Sequence, residues 1–177
     1  MSDKPAGKIA RILLLLGRLA LAGILLFAAY AKMKPQANMP WTVQSVRVSL
    51  SMFAMQVDSY ELLPQAAVNF VAHWLPPFEL FLGLWLLSGI ALRYSALAAT
   101  LLIAGFFAVV VRSFAAGLEI NCGCFGPGEK LGPWTLVRDG SMLAAAIAIT
   151  VGAFVLHRRG AARDISMGAA SPERAGS

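Results

Sequence analysis

Two cysteines are the only thiols in the 177-residue chain, and they stand one residue apart in "EINCGCFGPGEKLGP", residues 119–133. Cys122 and Cys124 could exchange disulfides, hold a fixed disulfide, or help ligate a metal. A disulfide across one intervening residue closes a very small ring. It removes little entropy from the unfolded chain and is therefore a weak staple. Its geometry is demanding, and strain makes such a bond easier to reduce. Gly123 relieves the backbone by admitting positive φ. These properties suit exchange better than architecture. Two thiolates need further ligands to hold a metal, and the only histidines are His73 and His157. The "GPGEKLG" run lacks the spacing and the Lys-Ser/Thr pair of a phosphate loop.

The elements that position this loop are apolar. Hydrophobic residues make up 58% of the chain and charged residues 14%, against roughly 45–50% and about 25% in soluble domains. Four runs, at about 12–31, 74–92, 94–118 and 134–157, are each long enough to cross a hydrocarbon core as a helix. Strands with open edges would leave backbone groups unpaired in lipid. The expected fold is an all-α integral membrane protein, a four-transmembrane-helix bundle forming one domain over residues 1–159. A disordered cytoplasmic tail is expected over residues 160–177, where the chain turns small and polar.

Charge placement orients the bundle. Lys4, Lys8, Arg11, Arg93, Arg158, Arg159 and Arg163 fall on one side if all four helices span. The positive-inside rule makes both termini cytoplasmic and turns the cysteine loop outward. In a bacterial inner membrane that face is oxidising. Trp41, Trp74 and Trp134 fall near the outer ends, where interfacial tryptophans belong. The net charge of +6 is explained by these helix-end positions and does not point to nucleic acid. The start of the chain can also be read as a secretory signal ending at Ala31. Against cleavage, the run from Ile12 is membrane-length, with Arg18 able to snorkel.

Between the first two spans, Val43, Val46, Leu50, Phe53 and Val57 recur at helical spacing. They predict an outer-face amphipathic helix that closes the bundle or, less simply, docks a partner. Four ionisable residues fall in the same outer slab as the thiols: Glu79 about one turn into the second span, Arg112 near the end of the third, and Arg138 and Asp139 early in the fourth. Charges inside a membrane should pair or face the interior, and an arginine near a thiol favours thiolate. These residues therefore either support the cysteine chemistry or form structural pairs, Arg112 with Asp139 and Arg138 with Glu79.

"NCGCFG" followed by "W…RD", with the earlier "YAKMKP", "SYELLP" and "LPPFELFLGLWLLSG", resembles the MauE family of methylamine utilisation proteins, within the broader DoxX-like membrane group. The resemblance covers about residues 12–157 and is most specific at the cysteine loop. It implies a four-helix membrane protein that helps mature the disulfide-rich small (β) subunit of methylamine dehydrogenase alongside a thioredoxin-like partner. Cys122 and Cys124 would be the redox pair, with Glu79, Arg138 and Asp139 in support. The leading expectation is thus a thiol–disulfide protein, conceivably an oxidoreductase, exchanging with a periplasmic thioredoxin-like protein or with client thiols. The chain has no second cysteine pair, so electrons would pass to a quinone or stay with the partner. The rival reading is a non-catalytic membrane scaffold or chaperone whose loop disulfide is static. A transporter is disfavoured because no continuous polar path runs through the spans.

Overall fold

The computed structural model describes residues 5–35, 39–118, 120 and 131–169. Among them are five helices and no strand: α1 (Pro5–Met33), α2 (Val43–Asp58), α3 (Gln65–Ser88), α4 (Leu92–Ala115) and α5 (Pro133–Ala169). Four of them, α1, α3, α4 and α5, are long and apolar enough to span a membrane. They form the expected antiparallel bundle, with α1 against α3, α3 against α4, α4 against α5 and α5 back against α1. One end of the bundle carries α2 and both ends of the cysteine-bearing segment. The other carries the chain termini and the tight α3–α4 turn.

Small residues set the helix spacing. A Cβ on Gly83 of α3 would lie 2.8 Å from Leu26 Cγ and 3.3 Å from the Ala22 carbonyl oxygen of α1. Gly17 of α1 and Gly152 of α5 admit Ile149 and Leu14 in the same way. The core between them is Leu21, Ala22, Leu25, Leu82, Leu86, Ala96, Ala99 and Ala146. Lipid supplies no hydrophobic force between helices, so such close contact and interhelical hydrogen bonds hold the bundle. One such bond joins buried Thr100 of α4 to Thr150 of α5 at 2.8 Å. At the termini end, Arg18 of α1 donates to the Leu87 carbonyl in the last turn of α3 (3.5 Å) rather than only snorkelling. Gly89, at φ 71°, follows that turn.

Local signals account for the helix ends. Thr42 and Ser45 form a reciprocal capping box at the start of α2. α4 stops in a Schellman motif: Gly117, at φ 70°, donates to the Phe114 carbonyl and Leu118 to that of Ser113. The second span begins at Gln65, nine residues before the expected 74, with Pro64 as its N-cap. Pro76 and Pro77, expected in the first turn of the span, lie in the middle of the helix instead. The extra turns are held by α2, whose Phe53 and Ala54 bury Val68 and Ala72. The fourth span also overruns its expectation. α5 continues through Gly160 to Ala169, where the tail was expected to be disordered. A single glycine costs a helix only about 1 kcal/mol, and the alanines around it are the best helix formers.

α2 lies on α3 and α1 as expected, but rotated about its axis. Ser45, Ser49, Phe53 and Ala54 are its buried residues, while Val43 is fully out. Serines at the contact let α2 approach closely and bond backbone carbonyls, Ser49 donating to Lys34 (2.9 Å) and Ser45 to Pro40 (2.6 Å).

Candidate functional site

Cys122 and Cys124 lie outside the described residues. The segment that holds them is anchored where it begins and ends, by a 2.9 Å bond from the Leu131 amide to the Ile120 carbonyl. Below these anchors lies a polar layer inside the bundle. Each helix contributes through its inward stripe. On α3, Ala72, Pro76, Glu79, Gly83 and Leu86 follow alternating four- and three-residue steps, so Glu79 points inward with its neighbours. On α5, Asp139 shares the buried stripe of Thr135, Ala146, Thr150 and Ala153. On α1, Lys32 follows buried Leu25, Ala28 and Ala29.

Glu79, 2% exposed, accepts both of its carboxylate contacts from the Lys32 ammonium at 2.8 Å. The partner is therefore Lys32, not Arg138 as the sequence suggested. Lys32 is itself 5% exposed and lies against two aromatic rings, Phe53 at 5.4 Å and Phe106 at 5.6 Å from their centroids. Arg138 instead pairs with its neighbour Asp139 at 2.9 Å, which takes Asp139 from its expected partner Arg112. Arg112 is exposed in the last turn of α4 and stands apart from the layer. α4 stops at Ala115 rather than 118, so Arg112 lies in its last turn, where a long exposed side chain reaches the interface.

Lys32, Glu79 and Asp139 share a cavity of roughly 60 Å³, whose remaining walls include Phe106, Phe107 and Met142. That volume admits a few waters and little more. Its depth is set by the tryptophans. Trp74 and Trp134 are exposed, and Glu79 and Asp139 each follow one of them by five residues, about 7–8 Å along the helix axis. The layer therefore lies under one tryptophan belt, although Glu79 is about 21 Å from the start of the lengthened α3. His73 is exposed and bonded to the Asn69 carbonyl (2.9 Å), and His157 is exposed towards the termini end. No group of three or more metal-ligating side chains occurs among the described residues.

Lys32 was the residue that sequence reasoning missed. It stands just past the expected end of the first helix and was not counted with the ionisable residues of the outer slab. The available signal was register: Lys32 falls four residues after Ala28 and seven after Leu25, on the stripe that packs into α3.

The buried pair has a definite physical consequence. Two ions removed from water gain little net stability by pairing, but removing one partner leaves an uncompensated charge. Buried ionisable groups in membrane helices mark functional sites.

A family model described as methylamine utilisation protein MauE matches residues 10–152. No curated protein and no solved structure matches the chain.

Proposed function

The chain belongs to the MauE family, and from that membership in a group of methylamine utilisation proteins we propose that it performs thiol–disulfide exchange during maturation of a periplasmic protein. The setting is the periplasmic face of a bacterial inner membrane, with both termini cytoplasmic. The client class is a disulfide-rich protein such as the small (β) subunit of methylamine dehydrogenase, served with a thioredoxin-like partner. The observation that carries this reading is that the only two thiols stand one residue apart in the segment that joins α4 to α5, and that the bundle holds a buried charged layer that a purely structural bundle would not need. The positive-inside distribution of Lys and Arg supports the orientation.

In the proposed step, one thiolate of the Cys122–Cys124 pair attacks a partner disulfide. The displaced partner sulfur leaves as thiolate, and the second cysteine then resolves the mixed disulfide. Two electrons and two protons leave the pair, and the partner is reduced to a dithiol. The reverse sequence oxidises a client. Arg138 and Asp139 follow Leu131 by seven and eight residues and are the charged groups of α5 that would bias the thiols. Glu79 acts at one remove by holding Lys32, and Arg112 supports the pair only through the field at the membrane surface.

Single Cys122→Ser and Cys124→Ser variants test the reading. One of them should accumulate a mixed disulfide with a thioredoxin-like protein, seen as a reductant-sensitive band on non-reducing gels. A protein that matures its client normally with both serines present would be a scaffold instead.

A further inference from the structure

The end of the bundle away from the charged layer carries a cation that the fold leaves without a counter-charge. Arg18 lies within the apolar span of α1, where a charge needs a partner or a polar surface. Its guanidinium sits so close to Gly89 of the α3–α4 turn that a Cβ there would collide with it. Of its five N–H groups, one reaches the Leu87 carbonyl, at a long 3.5 Å. Its Nε is shielded from solvent and has no hydrogen-bond partner among the described residues. No carboxylate is at hand. Glu79 and Asp139 are the only acidic residues in the four spans, and both belong to the layer at the opposite end.

The same turn is positive in two further ways. Arg93, in the first turn of α4, stacks on the Tyr94 ring at 4.6 Å and forms no ion pair among the described residues. α4 itself begins three residues past Gly89, and its N-cap Ala91 supplies no side-chain bond to the first amides. An uncapped helix start attracts anions, and the two guanidinium groups add full charges suited to phosphate. Depth decides which anion arrives. Arg18 precedes Lys32 by 14 residues, about 21 Å along α1, and the charged layer lies about 7–8 Å under the tryptophan belt. Together these come close to the roughly 30 Å of a hydrocarbon core. Arg18 therefore stands where the phosphates of the leaflet on the termini side begin. α1 runs on for 13 residues beyond it, so the turn is recessed against the flank of a helix.

We propose that Arg18 and Arg93 form a site for the phosphate of an anionic glycerophospholipid, such as phosphatidylglycerol, in that leaflet. The inference is independent of thiol exchange and needs only that the four helices cross a bilayer. A lipid delivers its phosphate at this depth, and basic recesses between spanning helices take such headgroups. A net-negative headgroup is favoured over a zwitterionic one, because the choline or ethanolamine of the latter brings a further positive charge to a place with no carboxylate.

Native mass spectrometry of the full-length protein released from detergent tests the site, with dioleoyl phosphatidylglycerol, dioleoyl phosphatidylcholine and inorganic phosphate as probes. The first phosphatidylglycerol should bind about tenfold or more tightly than the first phosphatidylcholine. Arg18→Gln, whose amide can still donate to a carbonyl, should remove most of that preference, and Arg93→Gln should weaken it several-fold. Arg11→Gln and Arg158→Gln remove exposed charges on the same side and should leave it within about twofold. If Arg18→Gln does not fold, Arg18→Lys and Arg93→Gln carry the comparison, the lysine keeping the charge but losing the two-pronged contact. Equal losses in all these variants overturn the site and leave a general attraction to a basic surface. Equal affinity for the two lipids overturns the anionic headgroup. Displacement of phosphatidylglycerol by millimolar inorganic phosphate overturns the lipid as the source of the anion.

Discussion

Lys32 and Glu79 form a bidentate contact at 2.8 Å, almost fully out of reach of solvent, and the energetics of such a pair are asymmetric. Glu79→Gln takes the paired carboxylate away from an ammonium buried against Phe53 and Phe106. It should destabilise the protein by about 3–5 kcal/mol, the usual cost of breaking a buried pair. Replacing both partners by apolar residues, as in Lys32→Met/Glu79→Leu, should restore most of that loss, since neither charge then remains to be compensated. Thermal or denaturant unfolding in detergent micelles checks both. If the double variant restores stability and yet abolishes exchange, the pair is kept for function. If it restores both, the pair is structural. Glu79 and Asp139 were legible from the sequence because a carboxylate inside an apolar run is conspicuous. Lys32 was not, because a lysine at a helix end has an innocent explanation and only its register argues otherwise. The partner assignments also failed, since sequence depth does not reveal that Arg138 bonds the residue beside it.

The helices fail or hold through specific contacts. Gly83→Leu drives a side chain into Leu26 and the Ala22 carbonyl, so it should push α1 from α3 and cost about 1–3 kcal/mol, whereas Gly23→Ala, with nothing within 4 Å, should be close to neutral. The capping box at Thr42 should contribute about 1 kcal/mol to α2, lost in Thr42→Ala. Thermal shift measurements on the three variants give the comparison. α1 supplies Leu21, Ala22, Leu25, Ala28 and Ala29 to the buried interior, and cleavage at Ala31 would remove all five. The mature protein should therefore retain α1, and intact-mass spectrometry of membranes decides it. A mass beginning at Lys32 would revive the signal-peptide reading. The four spans and α2 were legible because hydropathy and 3.6-residue periodicity are local. The early start of α3 was not, because Pro76 and Pro77 argue against a helix that α2 nonetheless stabilises through Val68 and Ala72. The rotation of α2 escaped for a related reason: its contact face is built from serines, which a hydrophobic count ignores.

At the scale of the whole molecule, the bundle is asymmetric from end to end. The α2 end gathers Trp41, Trp74 and Trp134, the charged layer with its cavity and the anchors of the cysteine-bearing segment. The termini end has Arg18 against the α3 turn and the long continuations of α1 and α5. This polarity fits a protein whose chemistry belongs to one membrane face. The central claim is that Cys122 and Cys124 exchange with partners outside the cytoplasm. The most direct measurement is labelling of intact cells with a membrane-impermeant maleimide, before and after mild reductant, with and without the cell's periplasmic thioredoxin-like proteins. The account predicts that both cysteines label from outside once reduced, and that their oxidised fraction shifts when those partners are removed. A pair whose redox state is the same with and without every such partner would contradict exchange. Cysteines that label only after solubilisation would contradict the orientation itself.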